Sequence, residues 1–293
     1  MGKMNVKHLS KVFPNLEISK MGWILDRSGV FCRQGVSRIE TEVDNYPEQM
    51  FRDDFSSSFW VLSRNSAILE VLRELQIEAL LEVGAGNGMV AIPVAKEGIA
   101  VVAVEPSYLG CQVLASEQVP VFNGTLDQLL LPSNTLNAVG LFDVLEHVPD
   151  TSSLLAEIYR VLTPGGYLLL TVPSYNWLFG EFDINVGHYR RYTRKKLSKT
   201  VGAHGFIDVS SRYLFSLLVI PALFMRRIPY LIWKSRKEFT FGQIEEAMNP
   251  GKILNALLTR YFTAERKMML PFGTSLLMVC KKPDVLESPK RQR

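Results

Sequence analysis

Residues 80–98 read "LLEVGAGNGMVAIPVAKEG": an apolar run, three glycines in five positions, then a helix-forming stretch. Leu80–Val83 is predicted as a short buried strand and Gly84–Gly88 as a turn. Met89–Lys96 is predicted as a helix, with Pro93 placed where an early turn tolerates it. A glycine turn between strand and helix lets backbone approach a ligand with no side chain in the way. The spacing is G-x-G-x-G. The sixth position of the dinucleotide fingerprint, which calls for a third glycine, is Met89. On its own the turn fits a nicotinamide cofactor, S-adenosylmethionine, or a plain strand-to-helix connection.

The alternation continues outward from this turn. Ile99–Val104 reads as a second strand ending at Glu105-Pro106, Tyr108–Ser116 as a helix, and Val119–Phe122 as a strand. Leu136–Phe142 is the next strand. Ser152–Leu162 is a helix stopped by Thr163-Pro164-Gly165-Gly166, and Tyr167–Val172 is another strand. Such alternation predicts a doubly wound, mostly parallel α/β sheet, in which ligands sit beyond the carboxyl ends of the strands. Upstream, "GWILDRSGVFCRQG" reads as a hairpin turning at Arg27-Ser28-Gly29. Phe59–Leu75 reads as a helix with Leu62, Ile68, Leu69, Leu72 and Leu75 on one face.

Downstream, Arg194–Ala203 is a helix capped by Thr193, and Phe206–Tyr213 is a strand. A helical insertion follows to about Met269, then a strand at Thr274–Lys281, the two late strands forming an antiparallel edge. The tail "KKPDVLESPKRQR" reads as disordered. The predicted organisation is an N-terminal extension over 1–58, a main domain over 59–282 with an insertion at 214–270, and a basic tail at 283–293.

Composition narrows the function classes. The chain has 293 residues, 47% of them hydrophobic, and a net charge of +4, too mild to require nucleic acid as a partner. Cys32, Cys111 and Cys280 are scattered, with no zinc-site spacing, so no metal is expected and a reducing, cytoplasmic setting fits. The N-terminus lacks the apolar core of a signal peptide. The most apolar segment, Tyr213–Trp233, is uncharged only to Met225, short of the roughly 18 residues a spanning helix needs. With Arg226, Arg227, Lys234, Arg236 and Lys237 beside it, 213–237 reads as a buried cap or as a peripheral membrane contact.

Glu105 stands 21 residues after Gly84, where a carboxylate can accept hydrogen bonds from a ribose diol. Asp127 follows the third strand, placed to accept from an adenine amino group. Taken in order, "LLEVGAGNG", "VVAVEPS", "GTLDQLLLP", "LFDVLEHV" and "LTPGGYLLLTVPS" resemble the class I S-adenosylmethionine-dependent methyltransferases over about residues 60–212. "GHYRRYTRKKL" and "LPFGTSLLMVCKKP" are similar to a bacterial branch of small-molecule methyltransferases related to those of ubiquinone biosynthesis.

The resemblance implies a seven-stranded, Rossmann-like sheet. It implies that Glu82, Gly84, Ala85 and Gly86 hold the methionine end of S-adenosylmethionine, and that Glu105 binds the ribose beside Pro106 and Ser107. Thr125, Leu126 and Asp127 would flank the adenine, and Phe142 and Asp143 would close the pocket near the methionine. Asp143 also reads as a helix cap. A zinc module found at the start of some relatives of this type is unsupported, since only Cys32 lies there.

Methyl transfer needs alignment, exclusion of water and, for oxygen or nitrogen acceptors, a proton acceptor. His147 and His188 are the candidate bases, each with a plainer structural reading. Tyr189 and Tyr192 read as cover for an acceptor or for the sheet's end. The run Arg190, Arg191, Arg194, Lys195, Lys196 and Lys199 reads as a solvated face or as a lure for an anionic acceptor or membrane surface. A small-molecule acceptor, lipid-linked, quinone-like or sugar, is the leading expectation. A non-catalytic cofactor-binding scaffold and an NAD-dependent dehydrogenase are the alternatives. "VPSYNW" at 172–177 is a weak echo of a base-methylating signature, so nucleic acid is not an expected substrate.

Overall fold

The computed structural model describes residues 6–14, 16–35, 56–228 and 250–284. Helix α1 (Val6–Val12) leads to a hairpin of β1 (Trp23–Leu25) and β2 (Phe31–Arg33). Helix α2 (Phe59–Glu74) precedes β3 (Ala79–Val83), α3 (Ala91–Lys96), β4 (Ala100–Glu105), α4 (Tyr108–Ser116) and β5 (Val121–Asn123). Then come β6 (Leu136–Phe142), α5 (Thr151–Val161), β7 (Leu162–Pro173), α6 (Glu181–Asn185), α7 (Arg194–Gly202) and β8 (Ile207–Leu214). The described chain closes with α8 (Val219–Ala222), α9 (Lys252–Glu265) and β9 (Ser275–Lys281).

The strands form one sheet in the order β1-β2-β5-β4-β3-β6-β7-β9-β8. Strands β5, β4, β3, β6 and β7 are parallel, and β9 runs antiparallel between β7 and β8. All six residues of β4 are buried, as a strand covered by helices on both faces requires. The strand order reverses between β3 and β6, so the crevice at their carboxyl ends is where this architecture receives ligands.

The predicted antiparallel edge is present, and β5, β4, β3, β6, β7, β9 and β8 make the expected seven-stranded sheet, to which the hairpin adds two strands among the described residues. The hairpin joins it by a single parallel pairing, Phe31 with Phe122. The Asp26 carboxylate shapes its turn by accepting from Ser28 and Val30 N–H at 2.8 and 3.0 Å. Aromatic contact holds the addition in place: Phe31 stacks on Phe122 at 4.7 Å, and Trp23 and Phe13 meet the same ring edge-on. The predicted hairpin is thus held on the sheet by tertiary packing.

Three local expectations are corrected. Leu62 is exposed, because the buried face of α2 runs through Val61, Arg64, Ile68 and Val71 and carries polar residues. The Thr163–Gly166 stop is the first part of β7, drawn into the sheet by Gly165 N–H donating to Lys282 and Lys282 N–H donating to Gly166. The tail is anchored where it begins. Lys282 Nζ donates to Asn134 Oδ1, Tyr159 O and Leu162 O at 2.7–2.8 Å. The predicted tail beyond 284, residues 36–55 of the extension and 229–249 of the insertion lie outside the described residues.

Candidate active site

The site begins where β3 ends. Gly84 and Gly86 have φ of +71° and +57°, a left-handed backbone that other residues adopt only with strain. A Cβ on Gly84 would stand 2.7 Å from Val144 Cγ2, whereas a Cβ on Gly86 would meet nothing within 4 Å. Gly84 therefore lets β3 pack against the β6 loop, and Gly86 opens onto free space.

Glu105, at the tip of β4, accepts from Gly86 N–H through Oε2 and from Ser107 N–H through Oε1, both at 2.7 Å. These bonds tie the glycine turn to the next strand. Each oxygen keeps a second lone pair for a ligand hydroxyl. Burial pushes the Glu105 carboxyl up to about 7 even against those two bonds. Ser107 caps α4 by accepting from Gly110 N–H, Pro106 leads into that helix, and Ala85 is buried in the turn. Asp127 is exposed and accepts from the Thr125 hydroxyl at 2.6 Å, while Leu126 between them is buried.

Glu82 is 2% exposed, and its Oε2 has no hydrogen-bond partner. Burial raises its carboxyl to about 8, with Arg64 pulling the other way. A buried carboxylate oxygen lacking a donor, beside a glycine turn that opens onto space, fits the ammonium end of S-adenosylmethionine. Phe142 is buried at the end of β6. Asp143, at φ +54°, does not cap a helix: its Oδ2 accepts from Arg64 Nη1 at 2.5 Å.

Arg64 was not legible as a site residue. It is 4% exposed and lies 4.4 Å from the Trp60 ring, and neighbouring Asn65 donates to Met89 O at 2.6 Å. Adjacent Arg and Asn on the buried face of an otherwise apolar helix were the available signal.

The second half of the site gathers around the loop after β6 and α6. His188 Nδ1 lies 2.8 Å from Asp183 Oδ1, which also accepts from Arg191 Nε at 2.7 Å. The other Asp183 oxygen accepts from Gly180 N–H at 2.9 Å. Burial pushes the Asp183 carboxyl up, but His188 and Arg191 outweigh it and hold the group below its ordinary value. His188 Nε2 lies 3.9 Å from Oε1 of Glu146, which is 1% exposed and has no hydrogen-bond partner at either oxygen. Burial, with Asp143 nearby, raises the Glu146 carboxyl well above its usual range. The His147 ring packs edge-on against His188 at 4.7 Å, and burial together with His188 pushes it down to about 3.

The candidate bases thus meet. Glu146, His147 and His188 also place one ligand-type atom each within 4.8 Å of one another, a cluster that residue spacing gave no sign of. The basic run divides. Arg191 is 6% exposed and belongs to the Asp183 network, while Arg194, Lys195, Lys196 and Lys199 are exposed. Tyr192 is packed inside against the end of β7, and Tyr189 is exposed.

A family model described as a methyltransferase domain matches residues 50–211, more than half of the chain. The chain is 33% identical over 104 residues to a ubiquinone biosynthesis O-methyltransferase of Paramagnetospirillum magneticum, covering 34% of this chain and 42% of the relative. It is 30% identical over 140 residues to a probable S-adenosylmethionine-dependent methyltransferase of Mycobacterium tuberculosis, covering 46% of this chain and 51% of the relative. The chain therefore spans about half the length of these curated relatives, or less. Among solved structures, phosphoethanolamine N-methyltransferase 2 of Haemonchus contortus, in complex with S-adenosyl-L-methionine, shares the fold. The TM-score is 0.52 at 18% identity, over 86% of this chain and 62% of that one. The glycine turn lacking its third dinucleotide glycine, the buried unpartnered Glu82 and the family match agree, and the chain belongs to the S-adenosylmethionine-dependent methyltransferases.

Proposed function

We propose that this chain transfers a methyl group from S-adenosylmethionine to an oxygen or nitrogen of a small-molecule acceptor, and that His188 Nε2 receives the acceptor's proton. The observation that carries this reading is the Asp183–His188 pair beside Glu146. The donor supplies an already activated methyl on a sulfonium, so the protein's part is alignment and proton handling.

Asp183, kept ionised by its partners, accepts from Nδ1–H and leaves Nε2 as the ring's acceptor atom. A proton arriving at Nε2 makes an imidazolium, which the Asp183 carboxylate stabilises through Nδ1–H. His147, held neutral to about pH 3, packs against the ring and orients it. This division of labour favours His188 over His147 as the base. The relative named for ubiquinone biosynthesis favours an oxygen acceptor that is quinone-like or otherwise lipid-linked.

The test incubates the chain with methyl-labelled S-adenosylmethionine and extracts of candidate acceptors, with and without a chelator. A labelled small molecule, lost in His188→Ala and indifferent to the chelator, supports the reading. No labelled product despite cofactor binding overturns it in favour of a scaffold. Loss of activity on chelation assigns the histidines to a metal instead.

A further inference from the structure

Three segments converge at the carboxyl end of β7 and β8. The Tyr175 hydroxyl donates to Pro271 O at 3.3 Å, and Arg227 Nη1 donates to Phe179 O at 2.7 Å. Ser216 N–H donates to Glu265 Oε1 at 2.9 Å, and the Phe215 ring meets Phe262 at 5.1 Å. Around this junction, large apolar side chains face outward: Trp177 at 47%, Ile220 at 62%, Phe224 at 62%, Met269 at 74% and Phe272 at 45% exposure. An isolated exposed apolar residue is ordinary, but several meeting at one corner mark an interaction surface.

Residues 174–179, 214–228 and 266–273 contain no Asp or Glu, yet include Arg227, Arg266 and Lys267. Arg266 is tied to Glu70 at 3.1 Å, whereas Lys267 is exposed. Glu265, the acid at the border, is 4% exposed and spent on Ser216.

We propose that this corner is a docking surface for an anionic lipid bilayer. The pairing of Trp177, stacked on Tyr175 at 5.4 Å, with Phe224, Phe272 and adjacent cations is the composition that settles at the headgroup boundary. A second copy of this chain would set cation against cation, and an anionic surface would not. No helix among the described residues is long and apolar enough to cross a membrane, so contact is peripheral. The corner adjoins the carboxyl ends of the strands, so docking turns the acceptor side of the site toward the headgroups. That consequence, unlike the docking itself, rests on the methyl-transfer reading.

The test sediments the full chain with vesicles of phosphatidylcholine alone and of phosphatidylcholine with a quarter phosphatidylglycerol. Binding at least tenfold stronger to the anionic vesicles, weakened by added salt, is expected. Phe224→Glu with Met269→Glu should lower it at least tenfold and leave S-adenosylhomocysteine affinity, read by calorimetry, unchanged. Equal binding of this variant and the parent, or no preference for anionic vesicles, overturns the proposal. So does a dimer in light scattering that the same two substitutions dissolve. Docking is read without any methyl acceptor, so its failure and that of the methyl-transfer reading are separate results.

Discussion

His188 and Asp183 share a 2.8 Å hydrogen bond in a site where the Asp183 side chain is 1% exposed and that of His188 11%. The bond fixes which ring nitrogen is free. Removing the ring by His188→Ala should lower the methyl-transfer rate by about 10²- to 10⁴-fold, the usual contribution of a positioned base. Affinity for S-adenosylhomocysteine should be unchanged, because Glu82 and Glu105 lie on other strands. His188→Gln should show the same loss, as single-turnover rates would reveal.

Arg64 and Asp143 form a largely buried ion pair, with Glu82 also within reach of the guanidinium's charge. Arg64→Ala leaves two acids without their cation and should cost about 3 kcal/mol of stability. Urea unfolding would show this as a lower midpoint with an unchanged slope. Asp143→Asn with Arg64→Met should recover part of the loss.

Gly84 and Gly86 separate folding from binding. Both alanine substitutions meet the positive-φ cost of about 1–2 kcal/mol. Gly84→Ala adds a collision with Val144 and should be the less stable of the two. Gly86→Ala places a methyl in open space where a ligand would lie, so it should weaken S-adenosylhomocysteine binding most. Thermal melts paired with calorimetry would check the order.

The buried carboxyls make the free chain pH-sensitive in a defined direction. Glu82 and Glu105 are raised from 4.5 to about 8 and about 7 by burial. Between pH 4.5 and 8 the folded chain therefore holds more protons than the unfolded one, and its stability falls as pH rises through that window. Melting temperatures should drop from pH 5 to pH 8, with a shallower slope in Glu82→Gln. A ligand ammonium beside Glu82 favours the ionised form, so binding should release protons. Calorimetry in two buffers of different ionisation enthalpy would detect them.

Much of this was legible because its signals are local. The turn at 84–88, Glu105 at a strand end, Thr193 as a cap and the limits of α4 and β6 follow from patterns within a few residues. The joining of the hairpin to the sheet was not legible, since β2 meets β5 through one pairing and an aromatic cluster drawn from distant segments. Arg64 was hidden because a charged residue in an amphipathic helix ordinarily faces water. The Asp183–His188–Glu146 arrangement joins a residue of α6 to two positions outside the longer helices, and their separation carries no periodic signal. The need for a proton acceptor pointed to its histidines, though not to Asp183 or the role of Arg191.

The glycine turn and Glu105 are read as the holders of S-adenosylmethionine. The decisive measurement is a calorimetric titration of the full chain with S-adenosylhomocysteine, run beside NAD and repeated on Glu105→Ala. One-site binding of S-adenosylhomocysteine, absent for NAD and weakened at least tenfold by the substitution, is the predicted result. Binding of NAD in its place, or S-adenosylhomocysteine binding indifferent to Glu105, would contradict it.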